Sequence, residues 1–171
     1  MLLSELLAFC RREMACVRDA APGEAEILVS AVTGIPRGRL FLSADVDVGD
    51  APARLLPLIA RRAGGEPLQY VLGAWDFFGR EFLLSPDTLI PRPETEGLAE
   101  RAVAALRRFP AARPVALDVG TGCGAIAVTL AAEVSAALVV ATDISSGTLR
   151  VARENARRHG VADRVHPVRA D

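Results

Sequence analysis

Apolar residues recur at intervals of three and four from the start of the chain, so that Leu3, Leu6, Leu7, Cys10, Met14 and Val17 share one face of a helix. The breakers in Ala21-Pro22-Gly23-Glu24 end that run. Ile27, Leu28, Ala31, Val32 and Ile35 repeat the spacing, closed by Gly34 and Pro36. A third helix is expected within residues 50–63, with Pro57 obscuring its start, because an interior proline costs a helix about 3 kcal/mol. Pro67 suits a first helical turn and Gly73 a carboxyl-terminal cap, so residues 1–73 read as a small helical bundle.

Beyond Gly73 the period changes. WDFFGREFLL alternates about a glycine-centred turn, which is a hairpin signature, and SPDTLIPRPETE follows as a proline-stiffened loop, making 74–93 a hairpin and linker. Pro93 opens a helix whose buried face is expected to comprise Leu98, Ala102, Val103 and Leu106. Strand and helix then alternate: VALDV, a helix over 124–133, ALVVATD, a helix over 146–159 behind the N-cap candidate Ser145, and RVHPV. That order predicts an α/β fold in which 94–171 form a βαβαβ half of a doubly wound, Rossmann-like parallel sheet.

Composition narrows the class. Of the 171 residues 51% are hydrophobic and 24% charged, which is ample core material for a globular protein. No apolar run approaches the ~20 residues that cross a bilayer. MLLSELLAFCRREM carries Glu5 inside its apolar stretch, without an early basic region or small-residue cleavage site, and reads as an amphipathic helix rather than a signal peptide. A net charge of −1 offers no general attraction to nucleic acid or to an anionic membrane. All 20 basic residues are Arg, a coding bias rather than a functional signal. Cys10, Cys16 and Cys123 form no C-x-x-C pair and His159 and His166 are the only histidines, so the expectation is a reduced, cytoplasmic, metal-free protein.

Candidate chemistry concentrates in LDVGTGCGAI. Gly120, Gly122 and Gly124 stand where a strand becomes a helix, letting backbone approach a ligand while helix N–H groups point at it. Asp143 ends the next strand, where a carboxylate can accept from both hydroxyls of a ribose. The stretch also satisfies G-x-G-x-x-A through Gly120, Gly122 and Ala125, so an NADP-dependent oxidoreductase is an alternative, and a tight turn that binds nothing is the plainest one. Asp118 shifts the balance. A carboxylate two residues before the first glycine sits badly beside a pyrophosphate and suits a ligand with a cationic amino group and sulfonium, as in S-adenosylmethionine.

In order and spacing, GEPLQYVLG, F-x-G-R-x-F, LIPRPETE, LDVGTGCGAIAVTLA and VVATDIS…ARENARRHG resemble the protein-(glutamine-N5) methyltransferases that modify peptide chain release factors. LIPRPETE is the most specific piece. The resemblance implies an enzyme with an amino-terminal helical domain that helps recognise class I release factors, joined by a hairpin to a class I methyltransferase domain that binds S-adenosylmethionine. Carried onto this chain, Gly120, Thr121, Gly122, Cys123 and Gly124 line the methionine end, Asp143 holds the ribose and Asp118 lies near the amino group. Pro91, Arg92 and Pro93 close one wall, with Thr95 and Glu96 behind, and Asp171 falls near the adenine. Cys123 stands where Thr is more usual and reads as a small tolerated residue, with a helix-lowered thiol pKa as the functional alternative.

The implied reaction methylates the side-chain amide nitrogen of glutamine in the Gly-Gly-Gln motif of class I release factors. The family holds that amide with an Asn-Pro-Pro-Tyr motif after the fourth strand, and the 171 residues contain none. The expectation is therefore a chain that carries no catalytic residue, is inactive alone, and self-associates through the VALDV edge, which wants a partner strand on each side. A non-catalytic release-factor-binding module is the third reading. Arg150, Arg153 and Arg157 read as a solvated helix face, Tyr70 and Trp75 as core packing, and Arg92 as a contact for an anion or an ion pair with Glu94 or Glu96.

Overall fold

A computed structural model describes Met1–Asp171 as two units, Met1–Leu72 and Gly73–Asp171. The first contains α1 (Leu3–Met14), α2 (Glu24–Thr33), α3 (Ala51–Ala63) and α4 (Leu68–Leu72), with short 3-10 turns at Arg37–Arg39 and Phe41–Ser43. Glu5, the charge inside the first apolar run, acts locally, for its Oε2 accepts the Leu2 N–H at 2.8 Å and closes the start of α1. Leu3, Leu6, Leu7, Cys10 and Met14 of that helix are buried, as the periodicity predicts, while Val17 falls in the turn beyond it. Pro57 lies inside α3 on its exposed side, where a carbonyl deprived of its helical donor can bond water.

The buried face of α2 is Ala25, Leu28, Val29 and Val32, whereas Ala31 is exposed and Ile27 and Ile35 are half-buried. An ion pair sets this rotation. Arg62 Nε, from the end of α3, donates to Glu24 at 2.7 Å, both side chains being only 9% exposed. Arg62 also donates to the Asp19 carbonyl at 3.0 Å, and Glu24 accepts the Ala21 N–H at 2.9 Å. Residue 24 is thus drawn inward, and the positions one turn on follow it.

Burial pushes the Glu24 carboxyl up, but the Arg62 and Ala21 hydrogen bonds and the Arg62 charge outweigh it and hold the group below its usual range. The pair's stabilisation is therefore complete above the ordinary carboxylate pKa and is lost as pH falls through the lowered one. Arg62→Ala should destabilise the protein by about 3 kcal/mol at neutral pH in urea unfolding, with the deficit shrinking in acid. A deficit within about 0.5 kcal/mol, the range of ordinary surface substitutions, would contradict this role.

The second unit begins with β1 (Ala74–Phe77) and β2 (Arg80–Leu83), an antiparallel hairpin. Its turn residues Phe78 and Gly79 have φ of 52° and 68°, the paired left-handed conformation that matches the twist of two-residue hairpins. The Phe78 N–H donates to Glu96 at 2.7 Å, anchoring the turn to α5 (Pro93–Arg108). Then follow β3 (Val115–Val119), α6 (Ala125–Glu133), β4 (Leu138–Asp143), α7 (Ser146–Arg158) and β5 (Val165–Arg169). The strands form a parallel sheet in the order β3-β4-β5, with Asp118 opposite Ala141 and Asp143 opposite Arg169. Ser145 caps α7 as expected, accepting the Thr148 N–H at 3.3 Å.

Two packing expectations need correction. Helix α5 docks on α6 through a narrow stripe, Ala99 and Val103, which leaves Leu98 57% exposed and Ala102 and Leu106 half-buried. The sheet is covered on one face only, the face of Val139, Ala141 and Val165 that meets α6 and α7. Alternation turns Val115, Leu117 and Val119 to the other side, where they are 63%, 65% and 75% exposed.

Candidate functional site

The turn from β3 to α6 is built from three left-handed residues, Gly120, Gly122 and Gly124, with φ of 73°, 58° and 84°. A Cβ at any of them would be strained, but the space around them differs. At Gly120 and Gly122 it would meet nothing within 4 Å, so these two border open space. At Gly124 it would come within 3.1 Å of the Ala152 Cβ. That glycine serves the close packing of α6 on α7.

Backbone bonds hold the turn in place. The N–H groups of Gly120 and Thr121 both donate to the Thr142 carbonyl at the end of β4, at 2.9 and 2.8 Å. The next donor, Gly122 N–H, reaches Asp143 Oδ2 at 3.2 Å, while Asp143 Oδ1 accepts the Ser145 N–H at 3.0 Å. Asp143 stays half-buried at the carboxyl end of its strand. A carboxylate has about four acceptor sites, so these two bonds leave capacity on both oxygens.

Asp118 is nearly enclosed, at 9% exposed. Its Oδ2 accepts the Thr121 hydroxyl at 2.7 Å and the Ala127 N–H at 3.2 Å. Burial pushes its carboxyl above the usual range, the Asp143 charge adds to that, and the two hydrogen bonds only partly offset them. A cation placed beside it would relieve that penalty.

Burial favours the reading of Cys123 as a small packed residue over the activated-thiol alternative. It is 2% exposed, and burial pushes its pKa up to about 11, with the Asp118 charge contributing in the same direction. At neutral pH the thiol is held protonated. The side chain is inert packing.

Asp171 is exposed beside Ala170, whose N–H donates to the Asp143 carbonyl at 3.2 Å, and it lines a groove with Ile144 and Arg169. The glycine turn, Asp118, Asp143 and Asp171 thus meet at the carboxyl ends of the strands, where open α/β sheets bind ligands. Pro91, Arg92 and Pro93 share no hydrogen bond with that turn. Arg92 is the exposed N-cap of α5 and pairs with neither Glu94 nor Glu96. Arg150, Arg153 and Arg157 are all exposed along α7, and Tyr70 and Trp75 are half-buried.

Sequence reasoning misses the residues that brace this end. The Thr148 hydroxyl donates to the Asp87 carbonyl at 2.8 Å, and at Gly147 a Cβ would lie 2.4 Å from Asp87 Oδ2, so the loop after the hairpin rests on the first turn of α7. Asn155 bonds both the hairpin and the glycine turn. Its signal is visible in the chain: an amide on the apolar stripe of α7, between Ala152 and Ala156.

In fold and in the form of its turn, the second unit is a class I methyltransferase domain. Residues 116–171 match the family described as methyltransferase domain, and residues 5–73 match the PrmC N-terminal domain. The chain is 45% identical over 171 residues to the release factor glutamine methyltransferase of Nitratidesulfovibrio vulgaris, covering 99% of this chain and 57% of that protein. With the protein of the same name from Burkholderia pseudomallei it shares 48% over 136 residues, 79% of this chain and 47% of the other. By sequence the chain is similar to release factor glutamine methyltransferases along nearly its whole length, and it spans about half the length of the curated relatives it matches. Among solved structures, an RNA methyltransferase from Salinibacter ruber in complex with S-adenosyl-L-homocysteine is 27% identical, with 48% of this chain and 50% of that chain covered and a TM-score of 0.40. No helix is long and apolar enough to cross a membrane.

Exposure separates the three free cysteines. Iodoacetamide at neutral pH should modify exposed Cys16 in the native protein and leave Cys123 and Cys10, whose thiol burial pushes up to about 12, until the chain unfolds. Peptide mass mapping reads the order, and modification of Cys123 at the rate of Cys16 would contradict the enclosed site.

Proposed function

We propose that the glycine turn binds S-adenosylmethionine, and that the protein methylates the side-chain amide nitrogen of the Gly-Gly-Gln glutamine in class I peptide chain release factors, in the cytoplasm. The observation that carries the cofactor half is Asp118, an enclosed carboxylate beside two glycines that border open space. An ammonium or sulfonium there gains a partner and lowers the cost of ionising Asp118. A pyrophosphate would meet a buried negative charge instead, which disfavours the NADP-dependent alternative.

In this reading the backbone at Gly120, Thr121, Gly122, Cys123 and Gly124 flanks the methionine portion and Asp143 accepts from the ribose hydroxyls. Pro91, Arg92 and Pro93 wall the site, and Asp171 lies toward the adenine. When bound, the cofactor supplies an electrophilic methyl group. The acceptor amide is a poor nucleophile, its lone pair being delocalised, so orientation and exclusion of water carry the catalysis. None of the 171 residues is assigned to hold that amide, which the helical unit helps to recruit as part of the release factor. The relatives' name supports the substrate.

Asp143→Ala should weaken S-adenosylhomocysteine binding by about tenfold to a hundredfold, the cost of losing a charge-assisted hydrogen-bonding partner. A cationic ligand prefers ionised Asp118, so affinity should fall as pH is lowered through that residue's raised pKa and be level above it. Titrations in Asp118→Asn should lose this pH dependence, and a wild-type affinity independent of pH would refute the role given to Asp118. For the reaction itself, the 171 residues alone should transfer no methyl group, because none of them is assigned to hold the amide. A chain extended to the length of its curated relatives should mark the glutamine of Gly-Gly-Gln in a class I release factor from a methyl-labelled cofactor, located by peptide mass spectrometry. Label elsewhere would contradict the substrate.

The bare edge and face of β3 also imply association of the chain with itself. Sedimentation should show a dimer or larger species that Leu117→Lys reduces to monomer. A monomeric wild-type chain would contradict it.

A further inference from the structure

The core face of α7 runs through Thr148, Leu149, Ala152, Asn155 and Ala156, and Asn155 at its centre is 0% exposed. A primary amide in such a place is costly unless its groups are bonded. They are. Oδ1 accepts the Leu83 N–H at 2.8 Å, and Nδ2 donates to the Leu83 carbonyl at 3.0 Å and to the Cys123 carbonyl at 2.8 Å. Reversing the amide would set its NH2 against the Leu83 N–H, so one orientation is specified.

These bonds join two separate pieces of chain. Leu83 ends β2, and the residues after it lead to Pro91, Arg92 and Pro93, tied down on the way where Thr148 meets Asp87. Cys123 lies inside the glycine turn. Its carbonyl is turned into the core toward Asn155, away from the space that Gly120 and Gly122 border. A carbonyl oxygen facing that space would oppose a ligand carboxylate at the start of α6, where N–H groups favour one.

We propose that Asn155 is a positioning residue of the cofactor site, coupling the glycine turn to the end of the hairpin so that a ligand seated on the turn also tightens Leu83. The coupling rests on reading the turn as an S-adenosylmethionine site. Asn155 touches no ligand. It fixes the Cys123 peptide, and through the shared amide the conformation of the turn and that of the hairpin's exit are one state rather than two.

The test uses the full chain with S-adenosylhomocysteine as the probe, read by calorimetry and by amide hydrogen exchange. In the wild type, the ligand should slow exchange at Leu83 as well as within 120–124. Asn155→Asp keeps the shape and the acceptor for Leu83 N–H but donates to neither carbonyl when ionised. It should weaken binding about tenfold and abolish the ligand's effect on Leu83, with the amides of the helical unit unchanged. A residue that served stability alone would lower the urea midpoint and leave the affinity of the folded protein intact. Wild-type-like affinity with a responsive Leu83 in Asn155→Asp would overturn the proposal. So would protection of 120–124 without Leu83 in the wild type, a measurement that stands even if the variant does not fold. Failure of the wild type to bind at all would overturn the reading of the turn and the coupling together, whereas binding without a Leu83 response overturns the coupling alone.

Discussion

Two backbone N–H groups, those of Gly122 and Ser145, converge on the carboxylate of Asp143, and the working end of the sheet takes its form from that convergence. The first comes from the turn after β3 and the second from the start of α7. One side chain at the end of the central strand therefore sets how both successive βα turns sit. The pairing places Asp143 level with the glycines and leaves acceptor capacity on both its oxygens, and its negative charge adds a little to the burial that raises the Asp118 pKa. The proposed preference for a cationic nucleoside ligand over an anionic one rests on those two carboxylates.

Buried polar groups recur as organising elements, and in each case they are satisfied. No buried side-chain nitrogen or oxygen lacks a hydrogen-bond partner. Glu24 and Arg62 fix the rotation of α2 in the helical unit, Asp118 ties the end of β3 to α6, and Asn155 ties β2 to the glycine turn. An apolar residue at any of these positions could fill the volume but not specify the neighbour. This is the sense in which the cores carry information as well as stability.

Much of this is legible along the chain. Period and breakers locate α3, α4, α6 and α7 to within a residue and overrun the ends of α1 and α2, Ser145 announces its cap, and three glycines in five residues announce a left-handed turn at the end of a strand. The resemblance carried by LIPRPETE and LDVGTGCGAIAVTLA agrees with the relatives that the chain matches. What is not legible depends on partners far away in sequence. The buried face of α2 escapes periodicity because its rotation is decided by Arg62, 38 residues on from Glu24. Leu98 reads as interior because periodicity says which residues share a face, not how wide the covering surface is. At Cys123 the thiol alternative arises because its place near a helix start is visible in the chain, while the enclosure that disfavours it is not.

The most direct test of the central claim is a calorimetric titration of the wild-type chain with S-adenosylhomocysteine, with NADPH as the competing nucleotide. One molecule of S-adenosylhomocysteine should bind per chain, with no heat from NADPH at equal concentration. Binding of NADPH, with S-adenosylhomocysteine inert, would show that the two carboxylates do not select the ligand and would return the turn to the dinucleotide class.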